Sequence, residues 1–496
     1  METKEIKKAG NGPDRKVQLI LALAATAAAM GFVHQHLRFP TDIFSGDWLQ
    51  MQFYWEAPRQ EILRFGQIPL WNPFYCGGNI LMGHPHSQFV TPTFLFALLF
   101  GTSIGYRFAV VIHLLLGIWG MFRLGRLFEM SLASRTLVGF AFPLMGFFAW
   151  HLVGGHFWVL GFHLLPWLYE CYLRALGSAA GLKESSSPLL WTMAGALFLA
   201  WMVFHAGFYS VPFSILALGF DALLRCIGAR AGQTRIRPIL VFGGISLMAF
   251  LLSGPKSFPL IEFLRDHHRT FSFADDALRL EDIGRMFFGR NREWIWNQDE
   301  GRLLYKWWGE YANDIGYPLI PLAVLGLLAH FRRHWVLLTL CVLFFLCMLG
   351  EHTPWSLYTL LRKLPVFKGL HVPTRFTVML TFFLVLGAGL GLDILQKWLR
   401  PRIGKPGTLA MVWGLLLLTL VEPYVHHVRV NTLNGHVKDQ SVIPLATFHQ
   451  NKGSSKWMYR YPIKNQGTLA CYELAKLKKA PGLRTGLLPE AYPAQQ

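Results

Sequence analysis

The sequence predicts an all-α membrane protein that crosses the bilayer many times, and three observations support this prediction. Hydrophobic residues make up 53% of the 496 residues and charged residues only 15%, which lies outside the usual composition of soluble domains. Apolar runs long enough to cross a bilayer recur along the chain. Lys and Arg collect in alternate connections between these runs, as expected when cytoplasmic loops carry the basic charge.

Charge and cysteine content argue against two functional classes. The formal net charge of +19 does not predict a nucleic-acid partner, because the basic residues are spread over many short connections and form no single patch. The six cysteines provide neither a disulfide framework nor a Cys-x-x-Cys spacing that would bind zinc. Cys76 and Cys471 lie in hydrophilic stretches, and they could pair if both face an oxidising compartment.

The N-terminal segment, residues 1–16, is predicted to be cytoplasmic because its charged residues are mainly basic and directly precede the apolar run 17–33. This Ala-rich run also resembles a cleavable signal sequence. It is long enough to span the bilayer, so we interpret it as an uncleaved anchor that delivers the following residues to the outer side.

The apolar run 89–101 decides the remaining topology. It is short and contains Pro92, which favours a re-entrant or interfacial helix over a span. If this run does not cross, every basic connection faces the cytoplasm, and if it crosses, every one faces outward. The sequence therefore predicts about eleven spans, with the N-terminus inside. The later spans are residues 106–122, 136–150, 157–173, 189–204, 208–224, 239–252, 315–331, 336–349, 377–395 and 408–425.

This topology gives a membrane domain over residues 17–425 and a small extracytoplasmic C-terminal tail over residues 426–496. The large outer loops of the membrane domain are residues 38–88, 255–314 and 351–376. We expect the chemistry in the first of them. Its prolines forbid a long helix, while its acidic and aromatic residues suit a structured site on a membrane surface.

Asp42 and Asp47 lie just beyond the first span. A carboxylate there could bind a cation, or act as a base toward a substrate hydroxyl at the membrane surface. The alternative for Asp47 is structural, because Ser45-Gly46-Asp47 is also typical of a helix start with the carboxylate as its cap. Spacing alone leaves both roles open.

Four outer histidines are candidate metal ligands: His84 and His86 in the first loop, and His151 and His156 in a later turn. Together with Asp47 they could hold Zn²⁺ or Mn²⁺, since imidazole and carboxylate groups suit these ions. A divalent metal is therefore a candidate cofactor. The spacing matches no known metal motif, and histidine at a bilayer interface also serves as an amphipathic hydrogen-bonding residue.

Charged residues mark the other two outer loops. Glu310 lies beside aromatic residues at the edge of a predicted span, where a carboxylate needs a partner or a function. Lys368 and Arg375 are basic although they lie outside, which favours an anionic ligand such as a lipid phosphate. General contact with lipid headgroups is the alternative.

Several motifs carry a family resemblance. They are Gly46-Asp47 with Gln50, Pro69-Leu70-Trp71-Asn72-Pro73, Gly309-Glu310-Tyr311 and Val372-Pro373-Thr374-Arg375-Phe376. With these motifs the chain resembles bacterial YfhO-type membrane proteins, which are related to the multi-spanning glycosyltransferases of the C-type (GT-C) fold. The resemblance extends from the first span to about Asp393.

The resemblance implies a GT-C-like fold and a donor sugar carried on a polyprenyl phosphate. It also implies a base or metal-linked aspartate in the first outer loop, which falls on Asp47 with Asp42 as the second candidate. The candidate catalytic residues are thus Asp47, Asp42 and Glu310. The candidate substrate-binding residues are Gln50, Trp71, Asn72, His84, His86, Lys368 and Arg375.

The predicted function is a membrane glycosyltransferase of the bacterial inner membrane. It would move a sugar from a polyprenyl-phosphate donor to an envelope glycan, lipid or protein on the outer face. A lipid or polysaccharide transporter is one alternative, but transporters often show internal repeats and midplane charges, and neither stands out in the apolar runs. A non-catalytic envelope assembly protein is the other alternative.

The topology can be tested with a reporter enzyme that is active only outside the cytoplasm. We expect activity for fusions after Gln88 or Asp314 and none for fusions after Arg237 or Lys405, because the basic short loops all lie on one side. Activity after Arg237 would contradict the predicted orientation.

Overall fold

The computed structural model describes residues 15–34, 37, 43–44, 47–75, 77–182, 187–229, 235–266, 277–289, 295–297, 304–306, 310–430, 436–437, 448–451, 462, 466–468 and 486–488. Helices dominate this part of the chain, and its strands are short. The protein is an all-α polytopic membrane protein, which confirms the predicted fold class.

The helices of the described chain lie between Arg15 and Val430. Those of the first half are α1 (Arg15–Phe32), α2 (Asp47–Phe65), α3 (Phe94–Phe100), α4 (Thr102–Leu127), α5 (Leu132–Ala141), α6 (Gly146–Gly154), α7 (Leu165–Leu176), α8 (Pro188–Phe204) and α9 (Ser210–Ile227). Those of the second half are α10 (Arg237–Leu252), α11 (Gly254–Asp266), α12 (Asp282–Phe288), α13 (Leu319–Ala329), α14 (Phe331–Leu349), α15 (Leu357–Leu361), α16 (Pro365–Lys368), α17 (Thr377–Leu416) and α18 (Glu422–Val430). The 3₁₀ helices are Phe157–Leu164, Gly177–Ala180 and Pro373–Phe376, and a π-helical stretch, Leu417–Val421, joins α17 to α18.

Short strands occur in the loops and the tail. They are β1 (Ile43–Phe44), β2 (Trp71–Asn72), β3 (Asn79–Ile80), β4 (Ile295–Asn297), β5 (Leu304–Lys306), β6 (His436–Val437), β7 (Phe448–Asn451), β8 (Gln466–Thr468) and β9 (Gly486–Leu488). The antiparallel pairs are β1 with β6, β2 with β3, and β4 with β5. Strand β7 pairs parallel with β8 and antiparallel with β9.

Five helical segments of the described chain are long and apolar enough to cross a membrane: Thr102–Leu127, Leu132–Gly154, Ser210–Ile227, Phe331–Leu349 and Pro373–Val428. Helices α10 and α11 add a sixth if this pair, which is bent by 87°, counts as one broken span. Helix α3 has only seven residues, about 10 Å of helix. It is too short to cross the roughly 30 Å hydrocarbon core, in line with the sequence analysis. The number of about eleven spans stays a prediction.

The longest helix, α17, is interrupted at Gly404. This residue has φ of 68° and ψ of 176°, a conformation outside the helical region, and α17 also contains Pro401 and Pro406. The segment after the interruption continues through the π-helical stretch into α18, where the Tyr424 hydroxyl donates to the Ala28 carbonyl of α1 at 2.8 Å. The end of the described membrane domain therefore packs against its first helix.

One expectation for the first outer loop is wrong. Prolines were expected to forbid a long helix there, yet α2 has 19 residues and contains Pro58. Proline removes one backbone hydrogen bond from a helix interior. The buried side chains of Trp48 and Trp55 fix α2 against Tyr106 of α4, and tertiary packing of this kind overrides a local helix breaker.

Glycines allow α13 and α17 to touch backbone to backbone. A Cβ atom on Gly326 would lie 2.0 Å from the Gly387 carbonyl oxygen, and one on Gly391 would lie 1.9 Å from the Leu322 carbonyl oxygen. Close approach at small residues is a common way for membrane helices to associate. This contact holds α13 and α17 together, and with them the residues that directly precede each helix.

Gly391→Ala tests this contact. We expect it to destabilise the protein by about 2 kcal/mol or more, because the added methyl group meets backbone that cannot move aside. Thermal unfolding in detergent measures the effect. Gly414→Ala in the same helix is the control, since its Cβ would meet nothing within 4 Å. Equal unfolding midpoints for the two variants would contradict the packing.

Candidate active site

A buried ion pair joins the loop before α13 to the 3₁₀ helix before α17. Arg375 Nε donates to Glu310 Oε2 at 2.8 Å, and Arg375 Nη2 donates to Glu310 Oε1. The side chain of Arg375 is 5% exposed and that of Glu310 is 15% exposed. Two parallel hydrogen bonds between a guanidinium and a carboxylate are strong and fix the orientation of both groups. The pair therefore holds Glu310 in one position.

Two aromatic rings support the guanidinium from the side. The Arg375 Cζ atom lies 4.9 Å from the ring centroid of Trp158 and 4.4 Å from that of Tyr209, within the range of cation–π attraction. The Thr374 hydroxyl also donates to the Glu310 carbonyl oxygen at 2.9 Å. The ion pair is thus bound by side chain, aromatic and backbone contacts together.

Two histidines and an aspartate extend the ion pair into a larger cluster. His151 Nε2 lies 3.4 Å from Glu310 Oε2, and His156 Nδ1 lies 3.8 Å from Glu310 Oε1. His156 Nε2 lies 3.4 Å from Asp47 Oδ2. We call Asp47, His151, His156, Glu310 and Arg375 the outer cluster. It brings together four connections that the sequence analysis assigned to the outer side.

The Nε2 nitrogen of His151 faces the Glu310 carboxylate at 3.4 Å. His151 Nδ1 lies 2.9 Å from the Phe147 carbonyl oxygen, so this nitrogen carries the proton. In the neutral ring Nε2 then presents a lone pair toward the Glu310 carboxylate, and no hydrogen-bond donor reaches this buried nitrogen within the described residues. Two electron-rich atoms facing each other in a buried site need a proton or a metal ion between them.

Glu310 is ionised in this environment. Burial by itself would raise the pKa of the Glu310 carboxyl, but its charged surroundings, above all the Arg375 guanidinium, more than offset this effect and hold the pKa well below its usual range. A carboxylate that stays charged at neutral pH suits cation binding better than proton transfer. Glu310 can therefore position a cation or substrate hydroxyl, but it does not suit the role of a general acid.

Asp47 is the accessible member of the outer cluster. It is the first residue of α2, and 45% of its side chain is exposed. Gly155, which has φ of 85°, lets the chain before His156 approach α2, because a Cβ there would lie 2.4 Å from the Trp48 nitrogen. The Trp48 indole fixes the same contact by donating to the Leu152 carbonyl at 2.8 Å. A glycine and a tryptophan thus place Asp47 beside His156.

The metal ligands proposed from sequence separate into two groups. The ligand atoms of His151, His156 and Glu310 lie within 4.8 Å of one another, and Asp47 adjoins this set. His84 faces Tyr54 instead, with Nε2 2.9 Å from the Tyr54 hydroxyl, and His86 also stacks on the Tyr54 ring. These two histidines contact the body of α2, so their predicted role in substrate binding stays a prediction.

Other predicted site residues lie apart from the outer cluster or outside the described residues. Asn72 is buried in the β2–β3 hairpin, where it donates to Asn79 at 3.1 Å. Trp71 is 55% exposed on the same hairpin. Gln50 is half-buried on α2, and Lys368 is exposed at the end of α16. Asp42, Cys76 and Cys471 lie outside the described residues.

Trp158 and Tyr209 were not among the site residues predicted from the sequence. Their positions in the sequence could have indicated such a role, because Trp158 follows His156 by two residues and Tyr209 ends another short turn that was predicted to lie outside. Aromatic residues at the ends of spans are normally assigned to the interfacial belt. Only the stacking on Arg375 distinguishes these two from the belt.

Comparison with known proteins identifies the fold. No protein-family model matches the chain, and no curated protein matches it. The solved structure of arabinofuranosyltransferase AftD from Mycobacteria aligns with 88% of this chain and 28% of its own length, at 14% identity and a TM-score of 0.51. The Archaeoglobus fulgidus oligosaccharyltransferase tethered with an acceptor peptide aligns with 93% of this chain and 65% of its own, at 13% identity and a TM-score of 0.55.

The chain thus spans less than two thirds of the length of either structure. At this level of identity the likeness establishes the fold alone. The protein has the GT-C fold of these membrane glycosyltransferases, as the sequence analysis predicted. The narrower resemblance to YfhO-type proteins stays a prediction.

A double-mutant cycle tests the ion pair. Arg375→Gln should lower stability by about 3–5 kcal/mol, because it leaves the Glu310 carboxylate buried without its partner. Adding Glu310→Gln should restore part of the loss, since neither charge then remains. Thermal unfolding and the monodisperse fraction in detergent report both effects. A fully stable Arg375→Gln variant would contradict the bidentate pair.

Proposed function

We propose that the protein is a glycosyltransferase that moves a sugar from a polyprenyl-phosphate donor to a cell-envelope acceptor on the outer face of the bacterial inner membrane. The observation that carries this proposal is the outer cluster, in which an accessible aspartate adjoins a buried His–Glu–Arg set. The GT-C fold supports the reaction class.

Asp47 is the base of the proposed reaction. The acceptor hydroxyl oxygen forms a bond to the anomeric carbon of the donor sugar, and its proton passes to the Asp47 carboxylate. The bond from the anomeric carbon to the phosphate oxygen breaks, and its electron pair leaves with the polyprenyl phosphate. The exposure of Asp47 permits contact with a substrate hydroxyl.

Arg375 has a positioning role in this proposal. Its Nε and Nη2 atoms already bind Glu310, so a donor phosphate would have to approach the Nη1 side of the guanidinium. The exposed Lys368 remains a second candidate for that phosphate. Arg375 therefore acts first through Glu310, which it holds against His151 and His156.

The outer cluster also fits a divalent metal. Two imidazoles and a carboxylate form a suitable donor set for Mn²⁺ or Zn²⁺, and the Nε2 atom of His151 needs a proton or a metal ion. His151, His156 and Glu310 would hold the ion, and Asp47 would stay on the other nitrogen of His156. A bound metal would supply positive charge for the departing phosphate.

Asp47→Asn tests the catalytic role. Asparagine keeps the size of the side chain and caps a helix about as well as aspartate, so a structural role predicts nearly normal activity. If Asp47 is the base, the loss in turnover should be about a hundredfold or more with normal expression. Transfer of radiolabelled sugar from a polyprenyl phosphate, measured in inner-membrane vesicles, distinguishes these outcomes.

Asp42→Asn is the matched control in the same loop. An inactive Asp42→Asn beside an active Asp47→Asn would move the base to Asp42. Nearly normal transfer by both variants would exclude a carboxylate of the first loop as the base. Transbilayer movement of the donor without sugar transfer would favour the transporter alternative.

A further inference from the structure

Four short connections that were predicted from the sequence to face the cytoplasm meet at one pocket in the structure. They belong to the end of α4, the turn after α7, the end of α9 and the start of α14. We call this cavity of about 190 Å³ the basic pocket. Its lining includes residues 127–128, 179–182, 225, 228 and 332–337, and none of these belongs to the outer cluster.

Helix α9 separates the basic pocket from the outer cluster. Tyr209, which stacks on Arg375, directly precedes α9, and Arg225 follows sixteen residues later near the end of the same helix. A rise of 1.5 Å per residue makes this separation about 24 Å. The basic pocket therefore lies at the opposite end of the helix bundle, and a lipid bound there belongs to the other leaflet.

The ionisable residues that line the pocket are all basic in type. They are Arg225, Arg332, Arg333 and His334, and no carboxylate lines the pocket within the described part of the chain. Several guanidinium groups around one cavity favour an anionic ligand. A phosphate group is the best match, because arginine can bind two of its oxygens with two parallel hydrogen bonds.

Arg225 is held in a fixed orientation. Its side chain is 15% exposed, and its Nε and Nη2 atoms donate to the Asp221 carboxylate, which the Tyr169 hydroxyl also contacts at 2.8 Å. Its Nη1 atom donates to the Ala179 carbonyl at 3.4 Å. These bonds use three of the five N–H groups of the guanidinium. Two N–H groups of a rigid donor thus remain for a ligand.

Arg332 and Arg333 supply positive charge that is not balanced inside the fold. Within the residues that the structure describes, no hydrogen bond or ion pair engages Arg332. Arg333 Nη2 lies 3.4 Å from Glu129 Oε2, and the two side chains are 58% and 75% exposed. Exposed pairs of this kind are weak, so Arg333 can exchange Glu129 for a stronger anionic partner.

The surroundings of the pocket favour a lipid over free phosphate. Ile227 and Phe331 directly adjoin lining residues and are 73% and 52% exposed, which suits contact with acyl chains. Trp335 lines the pocket and lies against Gly228, where a Cβ atom would be 2.4 Å from its ring. Tryptophan is typical of the membrane interface. Basic pockets between membrane helices on the cytoplasmic side bind anionic lipid headgroups.

We propose that the basic pocket binds the phosphate group of an anionic phospholipid from the cytoplasmic leaflet. The phosphate lies between Arg225 and the Arg332–Arg333 pair, and the acyl chains run along Ile227 and Phe331. This site goes beyond the proposed function and requires no sugar transfer. A bound lipid joins the end of α9 to the start of α14 and stabilises the folded protein.

Native mass spectrometry of the full-length protein in detergent tests the site with two lipids that share the same acyl chains. Dioleoylphosphatidylglycerol should bind at least about tenfold more tightly than dioleoylphosphatidylcholine. Arg332→Gln combined with Arg333→Gln should lower the affinity for dioleoylphosphatidylglycerol at least about tenfold, because charged hydrogen-bond donors are lost. Both side chains are exposed, so the unfolding midpoint without lipid should not change.

Lys397→Gln combined with Arg400→Gln is the matched control. It removes the same charge from exposed residues of α17 that do not line the pocket, so it should leave the affinity unchanged. Equal losses in the two double variants would overturn the site in favour of general charge attraction. Equal affinity of the wild-type protein for both lipids would also overturn it.

Competition distinguishes a lipid from a soluble ligand. Excess inorganic phosphate should leave dioleoylphosphatidylglycerol bound, and displacement would overturn the lipid in favour of a free phosphate compound. Arg332→Gln alone repeats the affinity test if the double variant does not stay monodisperse, and an unchanged affinity in this variant would contradict the site. No sugar donor is present, so these outcomes do not depend on the proposed transfer.

Discussion

The Glu310–Arg375 ion pair is the interaction on which the outer cluster depends. Two charges removed from water are costly unless each finds a partner with good geometry. Arg375 meets this condition with two hydrogen bonds and two aromatic faces. Because the pair joins the loop before α13 to the start of α17, its formation also places Glu310 against His151 and His156. The close backbone contact of α13 with α17 holds together the two helices that follow these partners.

This constraint divides the outer cluster into a fixed part and an accessible part. Glu310 is ionised and held, and His151 is buried between it and Phe147. Asp47 is half-exposed, and its Oδ2 atom lies 3.4 Å from His156 Nε2. Preorganised electrostatic catalysis requires charges that are fixed in place. The outer cluster combines such a charge with a carboxylate that can contact a substrate.

Much of the fold could be predicted from the sequence, because the length of the apolar runs and the basic residues between them directly indicate helices that span a membrane. Glu310 and Arg375 were also identified, each as a charge in an unexpected place. Their pairing was not predicted, since 65 residues separate them and neither shows a local pattern. In the sequence, His84 and His86 were candidate metal ligands on the same grounds as His151 and His156. In the structure, His151 and His156 lie beside Glu310, whereas His84 and His86 lie beside Tyr54. The helix across Pro58 was missed because its stability comes from tertiary packing.

The central claim is that sugar transfer takes place at the outer cluster. Its most direct test is an experimental structure of the protein with a non-hydrolysable polyprenyl-phosphonate sugar bound. The account predicts the sugar beside Asp47, with its anomeric carbon about 3–3.5 Å from an acceptor hydroxyl oxygen that is hydrogen-bonded to Asp47. A sugar bound away from Asp47, or at the opposite end of the helix bundle, would contradict it.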